Sequence, residues 1–114
     1  NNDMHLKNFS MIENARGWTL APAYDLLNVA ILLPEDEEEL ALTLSGKKKK
    51  LKREHFEQFA KELGLTTKQI KGVFNRFEAK WNEIFELIDV SFLSNASKNK
   101  YKELMDTRFK RIYH

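Results

Sequence analysis

Apolar positions change their spacing along the chain. Residues 1–8 are mostly polar, then a short apolar-rich stretch at 9–12 runs into Glu-Asn-Ala-Arg-Gly at 13–17, and a second short stretch follows at 18–20. Two short runs on either side of turn-forming residues predict a small β hairpin with its turn near 14–17, where Gly17 can supply a positive φ. Ala21-Pro22-Ala23-Tyr24-Asp25 reads as a loop, because Pro22 fixes its own φ, lacks a donor and pushes Ala21 towards extended geometry. The apolar run 26–33 is too short for periodicity to separate a buried helix from a buried strand. Pro34 and the acidic run 35–39 end it. Leu40, Leu42 and Leu44 then alternate with Ala41, Thr43 and Ser45, a short strand signal stopped by Gly46.

From residue 53 the period becomes helical. Phe56, Phe59, Ala60 and Leu63 fall at i, i+3, i+4 and i+7, one apolar stripe, and Gly64 suits the end of that helix. Thr66 or Thr67 can cap the next helix. Its stripe, Ile70, Val73, Phe74, Phe77, Trp81, Ile84, Phe85 and Ile88, predicts one long helix over 67–89. Ser94 or Asn95 opens a last helix carrying Tyr101, Leu104, Met105, Phe109 and Ile112. An aromatic stripe at this spacing is expected to be core and not a platform for stacking bases, with Trp81 and Trp18 both partly buried. The fold class is therefore mainly α with a small β hairpin. It forms one domain over 1–114, with a helical bundle over 53–114 and the unusual chemistry in 1–25.

Composition narrows the function mostly by exclusion. A chain of 114 residues can bury a single core and little more. Nineteen Lys and Arg against 17 Asp and Glu leave a net charge too small to name a partner. The basic run 47–53 could meet nucleic acid phosphates, in which case binding would weaken steeply with salt, but beside an acidic run it reads first as a solvated face. The absence of cysteine excludes a disulfide framework, a thiol nucleophile and a thiolate metal site, and agrees with a reducing, cytoplasmic compartment. No apolar run is long enough to span a bilayer, so no membrane role is expected. His55 and His114 stand alone, without metal-ligand spacing, and receive no role. A first residue other than Met, already inside dense polar chemistry, suggests a piece of a longer protein.

That chemistry is Asn2-Asp3-Met4-His5-Leu6-Lys7-Asn8. Phosphoryl transfer asks little of a protein beyond position: one carboxylate to orient the attacking hydroxyl and take its proton, and an amide with a second carboxylate to hold magnesium on the phosphates. Asp3 precedes Asn8 by the interval that separates Asp from Asn in the protein-kinase catalytic loop. Asp25 follows the hairpin, where a kinase carries its second metal-binding aspartate, and Asn8 and Asp25 offer the oxygen donors that Mg2+ prefers. On the residues alone, an Asp and an Asn five apart also suit a turn-and-cap loop.

The stretch Asn2-Asp3-Met4-His5-Leu6-Lys7-Asn8-Phe9-Ser10 closely resembles the catalytic loop of HipA-like serine/threonine kinases. Leu20-Ala21-Pro22-Ala23-Tyr24-Asp25-Leu26 is similar to that family's metal-binding segment. The likeness is close over residues 1–65 and general in character beyond. It implies the C-terminal helical lobe of a HipA-like kinase fold. Asp3 would be the catalytic base, Lys7 would offset charge on the transferring phosphoryl group, and Asn8 and Asp25 would bind Mg2+ and, through it, ATP. His5 and Tyr24 would hold the loop and transfer no protons. The resemblance further implies a toxin of a toxin–antitoxin pair, with a protein substrate such as an aminoacyl-tRNA synthetase, a HipB-like antitoxin as partner, and DNA reached through that complex. Gly17, Gly46, Gly64 and Gly72 are isolated, so the chain carries no phosphate-cradling loop. In HipA-like kinases that part lies upstream. The expectation is a γ-phosphoryl transfer by the intact protein, an inactive chain in isolation, and apolar surface left bare that favours self-association or marginal stability. Two alternatives stand beside this. One is an inactive kinase-like scaffold binding an antitoxin or DNA, against which the joint presence of Asp3, Asn8 and Asp25 argues. The other is a small helical nucleic-acid-binding domain, supported by the basic run alone.

Overall fold

A computed structural model describes residues 2–114. The chain divides into two compact units, Asn1–Lys50 and Leu51–His114. Together they are mainly α with one two-stranded antiparallel hairpin, as the hydrophobic pattern predicts.

The first unit begins with a polar loop that tightens into a 3₁₀ turn, Leu6–Asn8. Strands β1 (Met11–Asn14) and β2 (Gly17–Leu20) pair from Met11↔Leu20 to Asn14↔Gly17. The turn is built where its residues demand it. Asn14 Oδ1 accepts the Arg16 backbone N–H at 2.8 Å, and Gly17 takes a φ of 102° that a side chain would resist. Asn14 Nδ2 also donates to Thr19 Oγ1 at 3.0 Å, closing the ribbon from the side. The run 26–33 becomes a single helical turn, α1 (Val29–Leu32), of which only Val29 is buried. Expected partial burial of Trp18 is not met: it is 66% exposed, on a ribbon of two strands that pairs with no third strand among the described residues.

The strand expected at 40–44 does not form. The chain instead reverses at Leu44-Ser45-Gly46-Lys47, with Leu44 and Lys47 exchanging backbone bonds of 2.8 and 3.0 Å as an isolated bridge. Ser45 and Gly46 both have positive φ, 49° and 72°, the requirement of a tight hairpin turn. Further out, the Lys48 carbonyl accepts from the Glu39 and Leu40 N–H groups at 2.7 and 3.2 Å. Alternation at 40–44 suits a sheet face, but a strand needs a continuous ladder beside it. Here the backbone bonds skip from the turn to residues 39–40, and the leucines divide, Leu44 buried and Leu42 exposed.

The second unit is four helices: α2 (Arg53–Glu62), α3 (Thr67–Ala79), α4 (Trp81–Val90) and α5 (Asn95–Tyr113). Their ends follow local chemistry. Gly64, at φ 79°, closes α2 in a Schellman arrangement, with Leu65 N–H on the Ala60 carbonyl and Gly64 N–H on the Lys61 carbonyl. Thr66 and Gln69 form a reciprocal capping box at the start of α3, and Ser94 Oγ accepts Ser97 N–H at the start of α5. His55, without an expected role, is 11% exposed at its side chain and accepts the Lys52 N–H on Nδ1 at 2.9 Å, tying down the first turn of α2.

The single helix expected over 67–89 is broken at Lys80, whose φ of −90° and ψ of 3° end α3 and start α4. Neither Gly nor Pro marks the break, so tertiary packing sets it. The bend lets two stretches of one stripe meet α5: the Phe74 ring meets Tyr113 edge-on at 6.2 Å, and Trp81 lies 4.0 Å from Phe109 and 4.7 Å from Phe85. Ile70 and Ile88 are buried, each 6% exposed. Most of the remaining stripe is half-buried around a cavity of about 390 Å³, lined by Phe56, Trp81, Met105, Phe109 and neighbours. The expectation that the aromatic stripe is core is met only in part: Phe74, Trp81 and Phe85 are half-buried, while Phe77 is 66% exposed.

Candidate functional site

The residues singled out by the sequence gather in the first unit. The 3₁₀ turn presents Asn8 towards the loop that follows the hairpin, and its Nδ2 donates to Asp25 Oδ2 at 2.6 Å. The two residues expected to share a metal therefore touch across a separation of 17 positions. β2 brings them together: Ala21 N–H donates to the Ser10 carbonyl at 2.8 Å, so the ribbon returns the chain to the loop where it started. Asp25 sits at φ 55°, a left-handed conformation that short polar residues tolerate better than others.

The loop from 2 to 8 is held by its own backbone and by the side chains of Asn8 and Tyr24. His5 N–H reaches both the Asp3 carbonyl, at 3.1 Å, and Asn8 Oδ1, at 3.0 Å, while Asn8 N–H returns to the His5 carbonyl at 3.0 Å. The His5 side chain is exposed and does not pack beneath the loop. Tyr24 donates its hydroxyl to the Lys7 carbonyl at 3.3 Å, an anchoring contact. Asp3 and Lys7 have exposed side chains. The structure thus brings Asn8 and Asp25 together, places Asp3 at the loop's entry, and fixes Lys7 through its backbone.

Could this pair hold a divalent cation? Among the described residues no group of three or more His, Asp or Glu side chains could enclose one. Mg2+ needs no such cage, since it keeps waters and takes one or two protein oxygens beside substrate phosphates. An amide oxygen has two lone pairs and a carboxylate about four acceptor sites, so the His5 N–H bond does not exhaust Asn8 Oδ1, nor the Asn8 bond the Asp25 carboxylate. The donor set fits the ion.

Two contacts were not anticipated. Asn2 Nδ2 donates to Asp36 Oδ2 at 2.5 Å, linking the residue before Asp3 to the acidic run. The acidic run in turn pairs with the basic one: Glu38 with Lys48 at 3.0 Å and Glu37 with Lys49 at 2.5 Å. The Lys49 ammonium, by hydrogen bond and charge, holds Glu37 below the usual carboxylate range, and Glu37 holds Lys49 above the usual lysine range. Five acids at 35–39 against four lysines at 47–50 leave this hairpin with no basic excess, and Arg53 is drawn away to Glu57 and the Phe74 ring, 4.3 Å from its centroid. A signal for the charge pairing was present in the sequence, since opposite runs flank a Ser-Gly turn. No local signal pointed to Asn2 and Asp36.

Among the described residues no helix is long and apolar enough to cross a membrane. The family model of the HipA-like C-terminal domain matches residues 1–85, which include the loop, the hairpin, Asp25 and the first helices of the second unit. No curated protein matches the sequence. The chain belongs to the HipA-like C-terminal domain family.

Proposed function

We propose, with membership of that family as the premise, that this chain is the hydroxyl-activating and metal-holding part of a serine/threonine protein kinase. The observation that carries the reading is the 2.6 Å contact between Asn8 and Asp25, which joins two oxygen-bearing side chains beside a loop that starts with Asp3. In the intact protein, with ATP as phosphoryl donor, Asn8 and Asp25 would hold Mg2+, which neutralises charge on the phosphates when bound. Asp3 orients the serine or threonine hydroxyl and accepts its proton as the oxygen bonds to the γ-phosphorus and the bond to the β-phosphate oxygen breaks, releasing ADP. Lys7 offsets negative charge on the phosphoryl group in flight. Tyr24 and the His5 backbone keep the loop in shape. A toxin role, with a HipB-like antitoxin as partner and an aminoacyl-tRNA synthetase as substrate, is supported by the family likeness, and a cytoplasmic setting would suit ATP as co-substrate.

The test is Mg2+- and ATP-dependent phosphorylation by the intact protein, comparing wild type with Asp3→Asn and Asp25→Asn. The reading expects activity in the wild type, its loss in both variants with folding preserved, and none from this chain alone. A wild type that transfers nothing, while still binding a small protein partner, would leave an inactive scaffold in its place.

A further inference from the structure

We infer that Asp36 is a positioning residue for Asp3, fixing the entry of the catalytic loop from a hairpin that is itself locked by opposite charges. The inference rests on the kinase reading for its activity readout, but not for its structural one. Residues 2–8 are pinned at their far end by Asn8 on Asp25 and by Tyr24 on the Lys7 carbonyl. Their near end is pinned by Asn2 on Asp36, and Asp3 lies between the two anchors. Asp36 is well placed for this. One carboxylate oxygen takes the Asn2 bond, the other accepts the Glu38 N–H at 3.0 Å, and its own N–H donates to the Leu33 carbonyl at 3.0 Å. Both Asn2 and Asp36 are half-buried, and a bond to an ionised acceptor is about twice as strong as a neutral one.

The next two residues, Glu37 and Glu38, hold Lys49 and Lys48 across the turn at Ser45 and Gly46. Contacts therefore run without a gap from the basic run to the residue before Asp3. Each exposed ion pair is weak taken singly, and the Asn2 bond is where they converge on the loop.

The two anchors should separate kinetically. Asn8 and Asp25, which would hold the metal and so the nucleotide, belong to the far anchor. Freeing the near anchor lets the Asp3 carboxylate swing while the metal pair stays in place, so kcat falls and KM for ATP does not move.

In the intact protein, Asp36→Ala and Asn2→Ala are each expected to lower kcat about 10- to 100-fold, the cost of a loosely held reacting group. KM for ATP should be unchanged, and the double variant no slower than either single one. Exchanging the partners, Asn2→Asp with Asp36→Asn, puts the donor on the other side and should restore most of the rate. Hydrogen exchange at the His5 and Asn8 amides should quicken in Asp36→Ala, a measurement that needs no activity. Full kcat in both single variants, additive losses in the double one, or unchanged exchange would overturn the inference. If Asp36→Ala fails to fold, the exchanged pair decides: no recovery over Asn2→Asp alone overturns it. If wild type transfers no phosphoryl group, the kinase reading fails, and amide exchange alone judges the tether.

Discussion

The two units are held together by different forces. In Leu51–His114, apolar helix faces meet, and the ends are closed by caps that the neighbouring residues supply. In Asn1–Lys50, among the described residues, only Val29 and Leu44 are buried apolar side chains. Order there comes from hydrogen bonds between side chains 17 and 34 positions apart and from exposed charge pairs. Apolar burial is not weakened by electrostatic screening and tolerates pH change, whereas surface charge contacts are sensitive to both. The candidate site lies on the unit with the smaller apolar core, so on the proposed reading its chemistry would depend on salt- and pH-sensitive contacts.

The sharpest way to break this division is at Asp3. Asp3→Asn should lower phosphoryl transfer by the intact protein about 10²- to 10⁴-fold, the usual contribution of a positioned base. The melting of the helices, followed by circular dichroism, should stay where it was. A coupled loss of helix stability would show that the units are not independent.

The two tryptophans give the next contrast. Trp81→Ala removes a ring packed against Phe85 and Phe109 and should cost about 2–4 kcal/mol in denaturant unfolding, somewhat below a full core deletion because the site is half-exposed. Trp18→Ala, on the open ribbon, should cost within about 0.5 kcal/mol. Equal costs would mean that something covers the hairpin.

Tyr113 refines the picture within the helices. Burial, with the Glu78 charge, raises its phenol above the ordinary tyrosine value, and its hydroxyl donates to the Phe74 carbonyl at 2.9 Å. A raised value in the folded state means that the unfolded tyrosine loses its proton first. The stabilisation is complete below pH 10 and declines as pH rises through the folded value. Tyr113→Phe should cost about 1 kcal/mol at neutral pH and remove that alkaline decline, both read from unfolding curves across pH.

The smallest effect belongs to the charged hairpin. Glu37 titrates below its ordinary 4.5, so its contribution is present above that pH and is lost as pH falls through the depressed value. Acid or high salt should quicken hydrogen exchange at the Glu39 and Leu44 amides before the Leu65 amide responds. Simultaneous exchange in both places would remove the distinction between the units.

Features encoded by neighbours were legible. Gly17 at the turn, Gly64 after α2, and Thr66 and Ser94 at helix starts are choices that a few adjacent residues make alone. The pairing of Asn8 with Asp25 was legible too, because two metal-suited oxygen donors flank a hairpin that returns the chain to its start. What escaped depended on distant chain. Lys80 ends a helix with no breaker residue, because α5 rewards a bend. The alternating leucines found no ladder. Trp18 looked like core because its type usually is. Asn2 and Asp36 meet only through the folded backbone, and an aspartate inside an acidic run carries no mark of having a single partner.

Asp25 occupies a backbone conformation that asparagine also tolerates, so Asp25→Asn would trade one oxygen for an amide nitrogen without disturbing the chain's path. A lineage could take that step at little expense in folding and keep the hairpin, the helices and any surface that a partner reads. On the kinase reading, competence and architecture would be separable by a single side-chain atom. On that reading, a descendant that only binds would keep the fold of an active ancestor and differ in the chemistry of one position.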